Sequence, residues 1–239
     1  GTGGAGKSCL MDELVRGFIT EFPDKRVAIV SIDPSKRKTG GALLGDRLRM
    51  NSIHDQRVYM RSLATRRSHL ATSASLDSSV KLLRASGFDL ILVETAGIGQ
   101  SDSEISDLVD FSIYVMTPEY GAETQLEKIN MIDFADCIVI NKFDKPGAED
   151  ALRAVRKQYC RSHLDFDAHP ESLPVFGVVA NRFNDVGTKW CYHKLIELLI
   201  QTKGLNWKRS QKADFAVSKT SELIPAERKE YLRQIASNV

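Results

Sequence analysis

The first eight residues of the chain, Gly-Thr-Gly-Gly-Ala-Gly-Lys-Ser, place the strongest constraint on its fold. They match the pattern G-x-x-x-x-G-K-[ST], in which glycines let backbone N–H groups surround phosphate oxygens at the N-terminus of a helix. The motif predicts that the chain binds a nucleoside triphosphate. Because such a loop normally follows a buried strand, we also expect a strand upstream of Gly1 and interpret the chain as a segment of a longer polypeptide.

Composition excludes several classes of protein. The 239 residues are 42% hydrophobic and 27% charged, which suits one soluble α/β domain or one domain with a small appendage. The formal net charge of +2 gives no global field for nucleic acid, and no apolar run approaches the ~20 residues that span a bilayer. The four cysteines form no C-x-x-C, so we expect no zinc site, no disulfide framework and a cytoplasmic location.

Short apolar runs alternate with helical patterns along the chain. The predicted strands are Val27–Asp33, Asp89–Glu94, Phe111–Met116, Asp136–Asn141 and Pro174–Ala180, with a weaker one at Val58–Ser62. The predicted helices are Lys7–Thr20, Leu76–Ser86, Ser103–Asp110, Thr124–Phe134, Gly147–Arg161 and Lys189–Gln201. Continuous apolar runs are typical of strands buried on both faces. This order predicts an α/β P-loop NTPase with a doubly wound, mostly parallel sheet and helices on both faces.

The pattern also predicts the domain organisation. We expect residues 1–204 to form the P-loop domain, with residues 205–239 forming a linker and one C-terminal helix at Pro225–Ala236. The polar, basic stretch Ser35–Ser75 is long for a connection, and such loops are often functional.

Several residues are candidates for a phosphate and magnesium site. The loop residues predicted to hold the nucleotide are Gly3, Gly4, Ala5, Gly6, Lys7 and Ser8. Lys7 would bridge the β- and γ-phosphates, and the Ser8 hydroxyl would lie on Mg²⁺. Asp33 and Glu94 each end an apolar run, where a carboxylate faces the ligand crevice of a parallel sheet. A helix N-cap or a solvated strand end is the alternative role for each acid. Asp46 lies in a long loop that could fold over the nucleotide.

The tetrapeptide Asn141-Lys142-Phe143-Asp144 follows a predicted strand and indicates the base. The Asp144 carboxylate can accept from the N1 and N2 donors of guanine, whereas adenine would leave it unpaired. The Lys142 stem can lie over the base, and Asn141 can brace the loops. Backbone groups of residues 180–182 could contact the guanine oxygen. The motif therefore predicts GTP and disfavours a kinase or an ATPase.

These motifs, with further loop sequences, resemble the GTPase chaperones of adenosylcobalamin-dependent acyl-CoA mutases, including the GTPase domains fused to isobutyryl-CoA mutases. The most diagnostic segments are Gly45–Met50, Val93–Ser101, Met60–Arg66, Pro118–Ala122 and Lys145–Leu152. The resemblance covers essentially the whole chain.

The resemblance implies a set of site residues and partners. Ser8, Asp33, Asp46 and Glu94 match residues that approach Mg²⁺, with Ile32 and Thr95 beside them. Arg49 matches a nucleotide-contacting arginine, and Gln125 and Lys128 match positions linked to hydrolysis in a third switch. GTP hydrolysis in this family gates adenosylcobalamin delivery and protects the mutase. The implied partners are a mutase domain and a cobalamin-binding domain, with a homodimeric parent.

Two other functions stay open from the residues alone. A nickel-type metallochaperone GTPase would carry a surface Cys/His motif, and the five histidines show no paired arrangement. A nucleotide-dependent interaction module would bind GTP with negligible turnover. Ile98 occupies the position just after Gly97, where signalling GTPases orient water with a glutamine. Intrinsic hydrolysis is therefore expected to be slow, with Lys128 or Gln125 completing the site.

Overall fold

The computed structural model describes residue 1 and residues 3–34, 50–65, 69–95, 107–121, 131–164 and 167–209, without the side chains of residues 33, 34, 64, 65 and 69–74. The helices are α1 (Lys7–Glu21), α2 (His69–Ala85), α3 (Met131–Phe134), α4 (Ala148–His163) and α5 (Val186–Lys203). The strands are β1 (Val27–Pro34), β2 (Val58–Thr65), β3 (Leu90–Glu94), β4 (Ile113–Met116), β5 (Cys137–Asn141) and β6 (Val175–Val178). Short 3₁₀ turns lie at Ser52–His54 and Pro118–Tyr120.

The described strands form two three-stranded parallel sheets, with orders β2-β1-β3 and β4-β5-β6. Ile29 at the centre of the first sheet pairs with Met60 and Leu92, and Val139 in the second pairs with Val115 and Phe176. Parallel pairing brings the carboxyl ends of the strands to one edge of each sheet. The α/β prediction is confirmed.

Alternation along the strands distributes side chains to two helical layers. Val27 and Ile29 pack with α1 and α5, whereas Ala28 and Val30 pack with α2. In the second sheet Val139 faces α1 and α5, and its neighbours in β5 face α3 and α4. Burial on both faces explains why these strands read as continuous apolar runs.

A cavity of about 580 Å³ separates the facing edges of β3 and β4. Its walls are mainly apolar side chains of β3, β4, α1 and the segment after α5. Gly1 lies at the carboxyl end of this cavity, because a Cβ built on it would come 2.3 Å from the Val115 carbonyl oxygen. The P-loop therefore begins beside the end of β4.

At the C-terminal end of α1, side chains from several elements meet in a set that we call the far-end cluster: Glu21, Tyr192, His193, Trp207 and Arg209. The Tyr192 hydroxyl donates to Glu21 Oε2 at 2.7 Å, and Arg209 Nε donates to Glu21 Oε1 at 2.7 Å. An Arg209 nitrogen also contacts His193 Nδ1. The Trp207 ring packs on Phe18 and Phe22, 5.2 and 5.5 Å away between centroids. Leu205–Arg209, predicted as the start of a linker, thus contacts the domain.

Two predictions about secondary structure were wrong. Helix α2 begins at His69, so the predicted connection to Ser75 is helical over its last seven residues. That stretch contains Thr72, Ser73 and Ser75, which are weak helix formers and hide the helical period. The described end of the predicted helix Ser103–Asp110, from Asp107 onward, is not helical: residues 107 and 108 form a turn and residue 110 a bend. The first part of that helix and residues 124–130 lie outside the described residues.

Candidate functional site

The P-loop has the backbone shape of a phosphate cradle. Gly4 and Gly6 have φ values of +71° and +80°, which side-chain-bearing residues rarely adopt. Gly6 also approaches Asn141 closely, because a Cβ there would lie 2.5 Å from the Asn141 Nδ2 atom. As the N-cap of α1, Gly6 brings no side-chain acceptor to the first helical amides. A helix N-terminus of this kind suits an anionic ligand. Lys7 and Ser8 are the first two residues of α1.

Asn141 ties three loops together. Its Nδ2 donates to the Ala5 carbonyl oxygen at 2.8 Å, and its Oδ1 accepts from the Lys142 and Ala180 amides at 2.8 and 3.0 Å. The residue is only 3% exposed. The end of β5, the P-loop and the loop after β6 therefore hold fixed positions relative to one another.

Residues Asn141–Lys145 form what we call the base loop. Lys142 has φ +59° and sends its ammonium group to the Gly4 carbonyl oxygen at 2.8 Å. The Phe143 amide donates to the Val178 carbonyl oxygen at 3.0 Å, and its ring lies so close to Gly177 that a Cβ there would come within 2.5 Å of it. These contacts leave Asp144 exposed at the tip of the loop.

The loop after β6 contains the backbone groups of residues 180–182 that were predicted to contact guanine. The Ala180 amide is bonded to Asn141, and the Arg182 amide donates to the Val179 carbonyl oxygen at 2.9 Å. Of the three amides in residues 180–182, that of Asn181 is the one without a hydrogen bond among the described residues. Of these three amides, the Asn181 N–H is therefore the one left available to an acceptor outside the described residues.

Ser8 and Glu94 meet at the carboxyl edge of the first sheet. The Ser8 hydroxyl donates to Glu94 Oε1 at 2.9 Å, and Glu94 is buried at the end of β3. A hydroxyl that donates its proton to a carboxylate keeps its oxygen lone pairs for a cation. This donor set of hard oxygens fits Mg²⁺.

The other residues predicted to lie near Mg²⁺ are only partly described by the structure. Asp33 lies on β1 two residues beyond Ser31, which pairs with Glu94. Ile32 packs in an apolar cluster with Leu76 and Leu83, so only its backbone could approach a cation. Thr95 follows β3 and lines the cavity. The side chain of Asp33 and all of Asp46, Arg49, Gln125 and Lys128 lie outside the described residues.

Two polar residues near the base loop were not predicted as site residues. Asp185 caps α5, where its Oδ2 accepts from the Val179 and Thr188 amides at 3.1 and 2.8 Å and so shapes the loop after β6. The spacing D-x-x-T before a helix is the signal that could have indicated this cap. Glu119 forms an ion pair with Lys145. Hydrogen bonds from Lys145 and Thr117 lower the pKa of Glu119 to about 2.

The cysteines show no arrangement for chemistry. Burial raises the pKa of the Cys137 and Cys191 thiols, so both remain protonated. Among the described residues, no group of three or more His, Cys, Asp or Glu side chains is suited to hold a metal ion. In the same part of the chain, no helix has the length and apolar character needed to cross a bilayer.

Comparisons with known proteins show which protein family the chain resembles. The profile of the methylmalonyl-CoA mutase-associated GTPase MeaB matches residues 1–226. The chain is 55% identical over its whole length to the fused isobutyryl-CoA mutase of Geobacillus kaustophilus and 49% identical to that of Paraburkholderia xenovorans. It spans 22% and 19% of the length of these relatives.

Solved structures agree on the fold. The crystal structure of HypB from Helicobacter pylori in complex with nickel matches with a TM-score of 0.51 and 16% identity, covering 88% of this chain and 87% of that one. Likeness at this identity shows a shared fold and nothing about nickel. With a profile match over nearly the whole sequence and a relative at 55% identity, the chain belongs to the methylmalonyl-CoA mutase-associated GTPase family, MeaB.

Proposed function

We propose that this GTPase uses Mg²⁺-dependent GTP binding and hydrolysis to gate adenosylcobalamin loading, and to protect an acyl-CoA mutase, in a longer parent protein. The observation that carries the proposal is the Asn141 network, which joins the P-loop, the base loop and the loop after β6, as a shared nucleotide site requires. The isobutyryl-CoA mutase part of the parent is supported by the names of the relatives. The mutase and cobalamin-binding domains would be fused or separate partners, in a homodimeric parent.

Hydrolysis would proceed by in-line attack of water on the γ-phosphate. The P-loop amides and Lys7 would offset the charge that develops on the transferred group. A bound Mg²⁺ would supply Lewis-acid stabilisation, and Ser8 and Glu94 would hold it together with Asp33 and Asp46. Arg49 would contact the nucleotide. Gln125 or Lys128 would complete the site when a partner orders the third switch.

The cavity between β3 and β4 supports a proposal about the architecture. Two strand edges with apolar walls above and below them suit one further parallel strand, and we propose that such a strand enters at the Gly1 end. In a longer chain that contains it, the amide hydrogens of Val93 and Val115 would exchange slowly. Fast exchange at both positions would contradict the strand.

GTP turnover with and without an adenosylcobalamin-dependent acyl-CoA mutase tests the function. We expect slow intrinsic turnover, stimulation by the mutase, and loss of most of that stimulation in Lys128→Ala. Lys189→Ala, which changes an exposed lysine of α5, is the control and should retain the stimulation. Undetectable turnover even with the mutase would contradict GTP hydrolysis and favour the alternative function, a nucleotide-dependent interaction module. Full stimulation of Lys128→Ala would remove that lysine from the mechanism.

A further inference from the structure

The base loop packs on strand β6 at a glycine. Gly177 is the third residue of β6 and pairs with Ile140 of β5, the residue before the base loop. A Cβ built on Gly177 would lie 2.5 Å from Cδ2, 2.6 Å from Cε2 and 2.7 Å from Cγ of the Phe143 ring. Ordinary contacts of a Cβ begin at 3.4 Å, so the ring occupies the space that a side chain at position 177 would need. A glycine inside a strand often marks such a close approach.

The Phe143 ring cannot give way to a methyl group and keep its position. The ring packs against the buried cluster that contains Ile140 and Val175, and the Phe143 amide donates to the Val178 carbonyl oxygen at 3.0 Å. Rotation about the Cβ–Cγ bond leaves Cγ where it is, and rotation about the Cα–Cβ bond takes the ring away from Gly177. A side chain at position 177 would therefore displace the ring or the base loop.

Phe143 lies between the two residues predicted to contact the base. Lys142 has φ +59° and bonds to the Gly4 carbonyl oxygen at 2.8 Å. Asp144 is exposed, and within the described part of the chain its carboxylate makes no hydrogen bond. The direction of that carboxylate therefore depends on the backbone that the Phe143 ring and amide hold in place.

The same glycine contacts the element that follows the second loop of the site. A Cβ built on Gly187, in the first turn of α5, would lie 2.5 Å from the Gly177 carbonyl oxygen. Helix α5 begins after Asp185, whose Oδ2 accepts from the Val179 amide at 3.1 Å. Gly177 thus contacts the base loop on one side and the helix that ends the loop after β6 on the other.

We propose that Phe143 and Gly177 are positioning residues for base recognition: the ring packed on the glycine sets the direction of the Asp144 carboxylate and thereby the preference for guanine. This rests on the proposed function, in which the site binds a guanine nucleotide. Guanine offers donors at N1 and N2, whereas adenine has an acceptor at N1 and no amine at C2. Displacing the ring should therefore weaken the binding of GDP and leave that of ADP nearly unchanged.

The ratio of the ADP and GDP dissociation constants measures this preference, and competition against a fluorescent GDP analogue gives both. In Gly177→Ala we expect the ratio to fall at least about 30-fold, with the Kd for ADP changing less than about threefold. Phe143→Ala, which removes the ring, should lower the ratio about threefold to tenfold. Adding Gly177→Ala to Phe143→Ala should lower it less than about threefold further, because the atoms that the methyl group meets are gone.

Leu195→Ala is the control for a loss of stability alone. Leu195 is buried with Val139 and Val178 on the face of the sheet opposite to Phe143. Its truncation leaves a cavity and should lower the melting temperature, while the ratio stays within about threefold of the wild type. A purely structural role for Gly177 would make Gly177→Ala behave in the same way.

Three results would overturn the inference. They are a Gly177→Ala ratio within about threefold of the wild type, an equal loss when Gly177→Ala is added to Phe143→Ala, and the same loss in Leu195→Ala. If Gly177→Ala does not fold, Phe143→Ala carries the test, and a ratio within about twofold of the wild type would overturn the inference. A wild-type protein that binds ADP as tightly as GDP would instead refute the proposed function.

Discussion

The two ends of helix α1 carry polar residues arranged for different purposes. At the N-terminal end, Lys7 and Ser8 follow a glycine turn whose carbonyl oxygens are held by Asn141 and Lys142. At the C-terminal end, Glu21 is 6% exposed and accepts hydrogen bonds from Tyr192 and Arg209. The N-terminal end holds the residues that we propose bind the phosphates, whereas the polar groups at the C-terminal end bond to one another.

We expect the two ends of α1 to contribute to different properties, nucleotide affinity at the N-terminal end and stability of the fold at the C-terminal end. A cation that faces a ligand contributes mainly to affinity, while a cation that pairs with a buried carboxylate contributes mainly to the folded state. Removing one cation from each end therefore gives two matched experiments on the same element. Removing the cation at the N-terminal end should lower GTP affinity and leave stability nearly unchanged, and removing the cation at the C-terminal end should do the reverse.

The largest effect is expected at the phosphate end. Lys7→Ala should weaken GTP binding by about 100-fold or more, because the lysine would compensate the charge of the β- and γ-phosphates. The melting temperature without nucleotide should change by less than about 2 °C. Calorimetric titration with GTP and a thermal melt measure the two quantities. A loss of stability as large as the loss of affinity would contradict the comparison.

The second effect is expected at the far-end cluster. Arg209→Ala should lower the free energy of unfolding by about 2–3 kcal/mol, since it removes a partner of a buried carboxylate. For a chain of this size that corresponds to a fall of roughly 5–10 °C in melting temperature. The Kd for GTP should stay within about twofold of the wild type.

Lys208→Ala provides the control for Arg209→Ala. Lys208 is the exposed neighbour of Arg209, and removing it changes the net charge by the same amount. Its melting temperature should stay close to that of the wild type. If both variants melt alike, the effect comes from net charge and the Glu21 contact contributes nothing.

The smallest effect concerns pH at the same cluster. Burial, followed by the charge of Arg209 and a smaller contribution from Lys189, lowers the pKa of His193 below 6.5, although Glu21 opposes this. The unfolded chain therefore takes up the proton first, and stability present above pH 6.5 is lost as the pH falls toward the folded pKa. Between pH 7.5 and 5.5 the wild type should lose up to about 1 kcal/mol more than His193→Gln. His169→Gln, an exposed loop variant, should follow the wild type, and identical pH profiles for all three proteins would refute this assignment.

The sequence predicts the nucleotide end far better than the far end. The P-loop and the Asn141–Asp144 motif are local patterns with one chemical purpose, and the apolar runs locate five of the six described strands, while β2 was predicted only as a weaker strand ending at Ser62. The Tyr192–Glu21 and Arg209–Glu21 contacts join residues 171 and 188 positions apart, and no local pattern indicates them. The Gly177–Phe143 contact is equally hidden, because it depends on how the base loop meets β6. The start of α2 was missed because serine and threonine mask its period.

Base selectivity of the wild-type chain tests most directly whether this site binds guanine nucleotides. Equilibrium titration should be carried out with GDP, IDP and ADP, since IDP lacks only the exocyclic amine that would donate to Asp144. We expect GDP to bind at least tenfold more tightly than IDP and at least 1000-fold more tightly than ADP, because an acceptor that the bound base shields from water and leaves unpaired costs roughly 1–3 kcal/mol per contact. An ADP affinity within tenfold of the GDP affinity would contradict the assignment of this site to guanine nucleotides.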